Sequence, residues 1–194
     1  MTTTFPLPSD IDVAALRAGL AGLAEAEGLL DVSYRTVDSP FGALLIAATE
    51  VGVVRVAFER EDHSAVLAQL STVVSPRLLS STRRTEVVTR QLGEYFEHRR
   101  QQFDVPLDLG RVPSFRRSVL THLADIGYGS TASYATVAAA AGNPRAVRAV
   151  GTACSHNPVP LLLPCHRVVR SDGSIGQYLG GADTKAALLA MEAT

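Results

Sequence analysis

The sequence predicts an α/β protein of two domains: a small α/β domain followed by a helix-turn-helix domain of the winged-helix type. Short apolar segments with strand character fill residues 32–58 and precede helical segments. Short helical segments joined by a glycine-containing turn then fill residues 114–155. The proline- and glycine-containing stretch Phe103–Pro113 separates the two patterns. We expect an N-terminal extension, a first domain and a second domain over residues 1–30, 31–109 and 110–194.

The extension carries a predicted helix that starts at Ser9-Asp10 and ends before Gly28. Its apolar residues recur at intervals of three or four positions, at Val13, Leu16, Leu20 and Leu23. This spacing places them on one face, which we expect to pack against the rest of the protein.

The first domain is predicted to place three strands before two helices: Val32–Thr36, Ala43–Ala48 and Val53–Phe58, then Ser64–Val73 and Glu86–Glu97. The second of these helices has one apolar face, formed by Val88, Leu92, Tyr95 and Phe96. No combination of residues in this half of the chain indicates catalysis.

The second domain is predicted to open with a helix that Ser114 caps. The buried face of this helix is predicted to be Phe115, Val119, Leu123 and Ile126. Gly127 and Gly129 interrupt the pattern, and Ser133 then caps a short helix, Tyr134–Ala141.

The next turn contains Asn143 as the predicted cap and Pro144 as the first residue of a helix that runs to about Cys154. Arg145 and Arg148 lie near its start, an arrangement that favours contact with DNA. An alanine-rich core helix explains the same composition about equally well.

The end of the chain predicts a hairpin and a last helix. Val168–Arg170 and Ser174–Tyr178 flank the turn Ser171–Gly173, which suits a hairpin. A helix over Asp183–Met191 then leaves Glu192 at its end. A hairpin after a helix-turn-helix indicates a winged helix.

Composition and charge narrow the function classes. The chain has 194 residues, 46% hydrophobic and 19% charged, which is typical of a folded protein. It has no apolar run of the roughly 20 residues that cross a bilayer and no secretion-signal pattern, so we expect a cytoplasmic protein with no membrane partner. Residues 110–194 hold eight Lys and Arg against four Asp and Glu, a charge of +4, which leaves −5 on the remainder. Only the second half is therefore suited to a polyanion.

The run Pro164-Cys165-His166-Arg167 brings a thiol, an imidazole and a guanidinium together. Proton-accepting or cationic neighbours favour the thiolate, the form of cysteine that attacks electrophiles. A lone cysteine is otherwise most often a packing residue. Cys154 and Cys165 are the only cysteines, and with His156 and His166 they match no familiar zinc pattern, so we expect no metal.

Six short motifs occur in order along the second domain: Gly129-Ser130-Thr131-Ala132-Ser133-Tyr134, Ala141-Gly142-Asn143-Pro144, Arg148-Ala149-Val150-Gly151, Asn157-Pro158-Val159-Pro160, Pro164-Cys165-His166-Arg167-Val168 and Gly180-Gly181. Together they resemble the O6-alkylguanine-DNA alkyltransferases, or methylated-DNA–protein-cysteine methyltransferases. The likeness is dense from Phe115 to Glu192, looser from Val32 to Leu107, and absent before about residue 30.

The resemblance implies a ribonuclease-H-like first domain and a DNA-repair reaction. An alkyl group would move from O6 of guanine in duplex DNA, or from O4 of thymine, to a cysteine of the protein. Each molecule would react once, on a base flipped out of the duplex. The implied partner is duplex DNA containing O6-alkylguanine, with protein–protein contacts along the DNA and no cofactor.

The resemblance also assigns roles to matching residues. Cys165 would be the nucleophile, His166 the base that takes its proton through a water, and Glu192 the group that orients His166. Tyr134 would hydrogen-bond the flipped guanine and supply a proton as it leaves. Arg148 would fill the gap in the base stack, with Arg145 beside it, while the small Ala146 and Gly151 allow close approach to the minor groove. The remaining matches support the site: Asn157 as a brace for the loop, and Val168 and Tyr178 as the pocket lining.

Two other functions stay open at this point. A non-catalytic alkyltransferase-like protein would mark lesions for another pathway, but those relatives replace the cysteine that this chain keeps. A Cys-His acyl hydrolase would turn over many times and would leave the helix-turn-helix unexplained. This sequence also differs from the family pattern at Leu179, where many relatives carry a small polar residue that can touch the base.

Overall fold

A computed structural model describes residues 13–193 as seven α-helices and six short strands, which confirms the α/β fold class. The helices are α1 Val13–Ala26, α2 His63–Val73, α3 Glu86–Phe96, α4 Ser114–Leu123, α5 Tyr134–Ala140, α6 Val147–Ser155 and α7 Ala182–Glu192. The strands are β1 Val32–Val37, β2 Leu44–Ala48, β3 Val53–Phe58, β4 Leu78–Ser80, β5 Ala132–Ser133 and β6 Val168–Val169. None of the helices in this part of the chain is long and apolar enough to cross a membrane.

The first domain is built on a four-stranded sheet in the order β3-β2-β1-β4. The three predicted strands form an antiparallel meander, and the fourth pairs parallel to β1 at the edge. The central strand β2 is buried along its whole length because both faces of the sheet are covered. Strand β4, which sequence patterning did not predict, has only three residues, and none of them is fully buried.

The two faces of the sheet pack into different apolar cores. Leu45, Ala47 and Val54 pack with α2 in a small core, whereas Leu44 and Phe58 face the other side. Alternate residues of a strand point to opposite faces, so one strand serves both cores. The second core is continuous with the second domain and holds Val119, Val150, Leu163 and Leu188. The two domains therefore share one interior.

Direct contacts bind the sheet to the loop that precedes Cys165. The Val56 amide in β3 donates to the carbonyl of Pro158 over 2.8 Å. The ring of Phe58 meets that of Tyr178 edge-on, with centroids 5.5 Å apart. The first domain thus forms one wall of the region around the Cys-His-Arg run.

The apolar face predicted for α1 is wrong as a packing surface. Leu16, Leu20 and Leu23 are 62%, 58% and 67% exposed, while Ala21 is buried. The helix therefore packs through a small residue on its other side, because a small side chain lets the helix backbone approach closely. The predicted start at Ser9-Asp10 lies outside the described residues.

Two predicted helix starts in the second domain need correction. Ser114 is the first residue of α4 rather than its cap, which is Pro113. Phe115, predicted to lie on the buried face, is exposed in the first turn. Helix α6 begins at Val147, because an Ala146 N–H to Asn143 carbonyl bond of 2.9 Å closes a separate turn before it. Ser133 does cap α5, where its hydroxyl accepts from the Thr136 amide at 3.0 Å.

The predicted hairpin is also wrong, although its turn forms. The Arg170 amide donates to the Ser174 carbonyl over 3.0 Å, but residues 174–178 form no strand. Strand β6 pairs instead in parallel with β5. The chain turns inward at Gly176, where a Cβ would lie 2.5 Å from the Tyr134 hydroxyl, so this segment packs on α5 rather than extending a ladder.

Candidate active site

Asn157 holds the loop that carries Cys165. Its fully buried amide donates from Nδ2 to the Leu163 carbonyl at 2.7 Å and to the Cys165 sulfur at 3.2 Å. Its Oδ1 accepts from the Val159 amide at 3.1 Å. One side chain therefore fixes both ends of the loop and orients the thiol, because it sits at the end of α6 with all its groups turned inward.

Cys165 is almost completely buried, at 2% exposure. Burial raises the pKa of its thiol to about 11, although the Asn157 hydrogen bond and the nearby positive charge of Lys185 oppose the shift. The sulfur therefore rests as a thiol at neutral pH. The expectation that the adjacent His and Arg favour thiolate is wrong, because the Arg167 guanidinium bonds to a carboxylate instead.

The Cys165–Arg167 run forms one turn of 3₁₀ helix. Successive residues of such a turn point about 120° apart. The His166 ring therefore faces away from the sulfur and meets Glu192, with Nε2 2.8 Å from Oε1. Its Nδ1 is buried and has no hydrogen-bond partner within residues 13–193.

Burial lowers the pKa of His166, against the opposing effect of the Glu192 carboxylate. The imidazole is therefore neutral near pH 7. With Nε2–H donating to Glu192, Nδ1 carries the free lone pair, an assignment that follows from the hydrogen-bond network. The ring can accept a proton at Nδ1 while the carboxylate stabilises the resulting cation.

Glu192, in the last turn of α7, is the centre of this network. Its Oε2 accepts from Arg167 Nε at 2.8 Å, and its Oε1 accepts from Arg167 Nη2 at 2.9 Å and from the Tyr95 hydroxyl at 2.5 Å. Burial alone raises the pKa of this carboxyl, but the hydrogen bonds from His166, Arg167 and Tyr95 outweigh it and hold the pKa at about 2. Glu192 is therefore a buried, fully ionised acceptor.

Gly129 can approach Glu192 closely because glycine has no side chain. Gly129 has φ +71°, and a Cβ there would lie 2.8 Å from the Glu192 carbonyl oxygen. Its amide donates to Oε2 at 3.4 Å. Glycine is therefore required both for the backbone conformation and for the contact.

Sequence reasoning gave Arg167 the wrong role and missed Tyr95 and Lys185 as residues of the site. Arg167 is 5% exposed and donates hydrogen bonds to the Glu192 carboxylate. Lys185 is fully buried and donates to the Val168 carbonyl at 2.6 Å. Both are charged residues within apolar sequence, which is a usable signal because a buried charge needs a partner. The sequence marks Tyr95 only as a phenol on an otherwise apolar helix face.

Tyr134, Val168 and Tyr178 surround Cys165 and His166. Tyr134 is the first residue of α5. Burial raises the pKa of its phenol, and the two nearby cysteines raise this pKa further. Val168 is fully buried. The Tyr178 ring lies 6.1 Å from the His166 ring, and its hydroxyl is buried without a hydrogen-bond partner in the described part of the chain.

Leu179 belongs to a different feature. It lines a cleft of about 320 Å³ between the domains, together with residues such as Val54 and Pro158. Cys165 does not line this cleft. This cleft is therefore separate from the reactive thiol.

The residues predicted to meet DNA lie on one face of α6 and its approach, away from the buried groups. Arg145 and Arg148 are exposed, and neither has an ion-pair or hydrogen-bonded side-chain partner in residues 13–193. Ala146 and Gly151 are half-buried beside them. Val150, Ala153 and Cys154 form the opposite, buried face. One face of the helix thus packs in the core, and the other carries the exposed positive charge of Arg148.

Comparisons with known proteins match each half of the chain to a family model. The family model of the 6-O-methylguanine DNA methyltransferase ribonuclease-like domain matches residues 32–109, and that of the DNA-binding domain matches residues 114–194. These matches confirm the predicted ribonuclease-like first domain and DNA-binding second domain.

Named relatives agree with the family models. The methylated-DNA–protein-cysteine methyltransferase of Mycolicibacterium paratuberculosis is 38% identical over 83% of this chain and 92% of its own length. The human protein of that name is 39% identical over 84% of this chain and 81% of its own.

A crystal structure of the Mycobacterium tuberculosis O6-methylguanine methyltransferase is also similar. It has a TM-score of 0.72 and 34% identity over 84% of this chain and 93% of that one. A structure of the M. tuberculosis OGT protein in complex with DNA has a TM-score of 0.70 at 34% identity, over 83% and 92% of the two chains. This chain therefore belongs to the 6-O-methylguanine DNA methyltransferase family.

Proposed function

We propose that this protein repairs DNA by moving the alkyl group of O6-alkylguanine, and of O4-alkylthymine, irreversibly to Cys165. The observation that carries the proposal is a neutral His166, adjacent in sequence to the Cys165 thiol, whose ring is hydrogen-bonded to an ionised Glu192. A buried thiol with a raised pKa needs a proton acceptor before it can attack, and His166 Nδ1 is a buried acceptor with no hydrogen-bond partner among residues 13–193.

The reaction balances with these groups. The Cys165 proton passes through a water to His166 Nδ1, and Glu192 stabilises the imidazolium. The thiolate attacks the alkyl carbon, a C–S bond forms, and the C–O6 bond breaks with its electron pair on the guanine. The Tyr134 hydroxyl gives the departing base a proton. The proton released from Cys165 then replaces the one that Tyr134 has lost. The products are S-alkylcysteine and unmodified guanine.

The exposed charges of α6 support the DNA part of the proposal. A base reaches the buried sulfur only if it leaves the duplex, which costs a few kcal/mol of stacking and pairing. Arg148 is long and unpaired in the described part of the chain, so it can occupy the vacated space and stay near phosphates. Arg145 supplies a second charge, and Ala146 and Gly151 keep the approach to the minor groove free of bulk.

We also propose that the first domain ends at residue 109 and the second begins at residue 110. Asn157 braces the loop, and Val168 and Tyr178 line the pocket for the alkyl group and the base. Cytoplasmic location and contacts between protein copies along DNA stay predictions.

A time course tests the proposal against its alternatives. Protein is mixed with an excess of duplex carrying O6-methylguanine with a labelled methyl group. We expect labelled protein to reach a plateau at one methyl group per molecule, because a thioether is a stable product. Release of label into solution at a constant rate would indicate a hydrolase, and binding without any transfer would indicate a lesion-marking protein.

A further inference from the structure

The Tyr95 hydroxyl connects the first domain to the reacting groups of the second, and nothing in the reaction described above uses it. Tyr95 lies in α3, and its hydroxyl donates to Glu192 Oε1 at 2.5 Å. The same oxygen accepts from His166 Nε2 at 2.8 Å. We propose that Tyr95 is a positioning residue for alkyl transfer, through which the first domain sets how strongly Glu192 supports His166. This inference rests on the proposed function.

The position of the hydroxyl is fixed by packing. Tyr95 is fully buried, and its ring has aromatic neighbours on several sides, with centroids 5.3 Å away for Phe103, 5.4 Å for Phe96 and 6.1 Å for Tyr128. Such contacts hold the ring in one orientation. The hydrogen bond to Glu192 is therefore a permanent part of the site.

Tyr95 competes with His166 for the charge of one oxygen atom. A carboxylate that receives several hydrogen bonds spreads its negative charge over them, so each donor is stabilised less. Arg167 also donates to both carboxylate oxygens, and the Gly129 amide donates to one. Because the arginine is always cationic, Tyr95 is the neutral side-chain donor whose removal changes the support of His166 without removing a charge.

Other charged and titratable groups near the pair make their contacts with atoms other than the Tyr95 hydroxyl. Lys185 bonds to the Val168 carbonyl, and Tyr178 faces the His166 ring edge-on. Cys165 is the group that supplies the proton. The Tyr128 ring meets the Tyr95 ring edge-on and lies 5.8 Å from the Arg167 guanidinium. Its hydroxyl donates to the Met191 carbonyl at 3.4 Å and contacts His98 at 3.3 Å, not the carboxylate.

Loss of the Tyr95 hydroxyl therefore has a directional consequence. More of the Glu192 charge becomes available to the imidazolium, so the pKa of His166 rises. Because transfer needs the neutral imidazole, the acidic limb of the rate profile moves to higher pH. A hydroxyl that only filled space would lower the rate equally at every pH.

The experiment measures single-turnover rates against pH with free O6-benzylguanine, which removes DNA binding from the readout. For Tyr95→Phe we expect the acidic limb to shift up by roughly half a pH unit. Replacement of Tyr95 by 3-fluorotyrosine, a more acidic donor of nearly the same shape, should shift it down. The matched control is Tyr128→Phe, which removes a neighbouring phenol and should leave the limb in place.

Each outcome decides the proposal. Opposite shifts for the two Tyr95 variants support it, and the fluorinated protein retains the test if Tyr95→Phe does not fold. Unchanged limbs in the folded variants, or an equal shift in Tyr128→Phe, would overturn it. The wild-type plateau of one alkyl group per molecule is measured in the same series, so failure of the proposed function is recognised separately.

Discussion

The buried groups around Glu192 and the exposed face of α6 use charge in opposite ways. In the interior, the carboxylate of Glu192 is matched by His166, Arg167 and Tyr95, and its pKa is held at about 2. Arg148 on α6 and Arg145 in the turn before it are exposed and have no side-chain partners in the described residues. We call the first set the buried polar centre and the second the arginine face.

The difference separates two tasks. Groups that move a proton must be held in one geometry, and burial with complete hydrogen bonding holds them there. Groups that meet a polyanion are useful only if their charge is available to it. Changes in the buried polar centre should therefore impair the reaction with any substrate, whereas changes on the arginine face should impair only the reaction with duplex DNA.

The largest effect is expected for Glu192→Gln. The amide cannot stabilise the His166 cation, so we expect transfer to fall by about 10²- to 10⁴-fold on both free O6-benzylguanine and duplex substrate. The same change leaves Arg167 buried without its counterion, which should cost about 3–5 kcal/mol of unfolding free energy. Single-turnover rates and urea unfolding measure the two effects.

The control for that prediction is Glu94→Gln, which breaks the partly exposed ion pairs of Glu94 with Arg90 on α3 and with Arg100 after it. Such pairs contribute about 0–1 kcal/mol, so stability and transfer should change little. A Glu192→Gln protein that reacts with duplex at the wild-type rate would contradict the role of the buried polar centre.

A smaller and more selective effect is expected for Arg148→Ala. Without a side chain to fill the stack, base flipping becomes harder, and we expect duplex repair to fall by roughly 10- to 100-fold. Reaction with free O6-benzylguanine should be unchanged, because no base has to be extruded. Arg90→Ala, which removes a 60% exposed arginine from α3, is the matched control and should leave both reactions intact. Equal losses on the two substrates would show that Arg148 acts on the site itself.

The buried polar centre and the arginine face also differ in how far sequence alone could predict them. The linear motifs place Cys165, His166 and Arg148 within a short stretch, and local spacing predicts most helices and strands to within a few residues. The same reasoning failed where tertiary contacts decide. The segment after Gly173 forms no second hairpin strand because Gly176 packs on Tyr134, and the leucines of α1 are exposed.

The contribution of Tyr95 could not be predicted because it depends on a contact across 97 positions of the chain. In the sequence it is one member of an apolar helix face, and no local pattern marks its hydroxyl. The state of Cys165 was predicted in the wrong direction for a related reason. Neighbours in sequence were counted as charges near the sulfur, but the fold turns Arg167 toward Glu192 and leaves the thiol desolvated.

The central claim is that Cys165 is the alkyl acceptor, although Cys154 is also buried and lies close enough that Cys165, after burial, raises the pKa of the Cys154 thiol. Peptide mass spectrometry after reaction with an O6-methylguanine duplex tests this directly. We predict one methyl group on the peptide that contains Cys165 and none on the peptide that contains Cys154, with the same result in Cys154→Ser. A methyl group on Cys154, or transfer that persists in Cys165→Ala, would contradict the account.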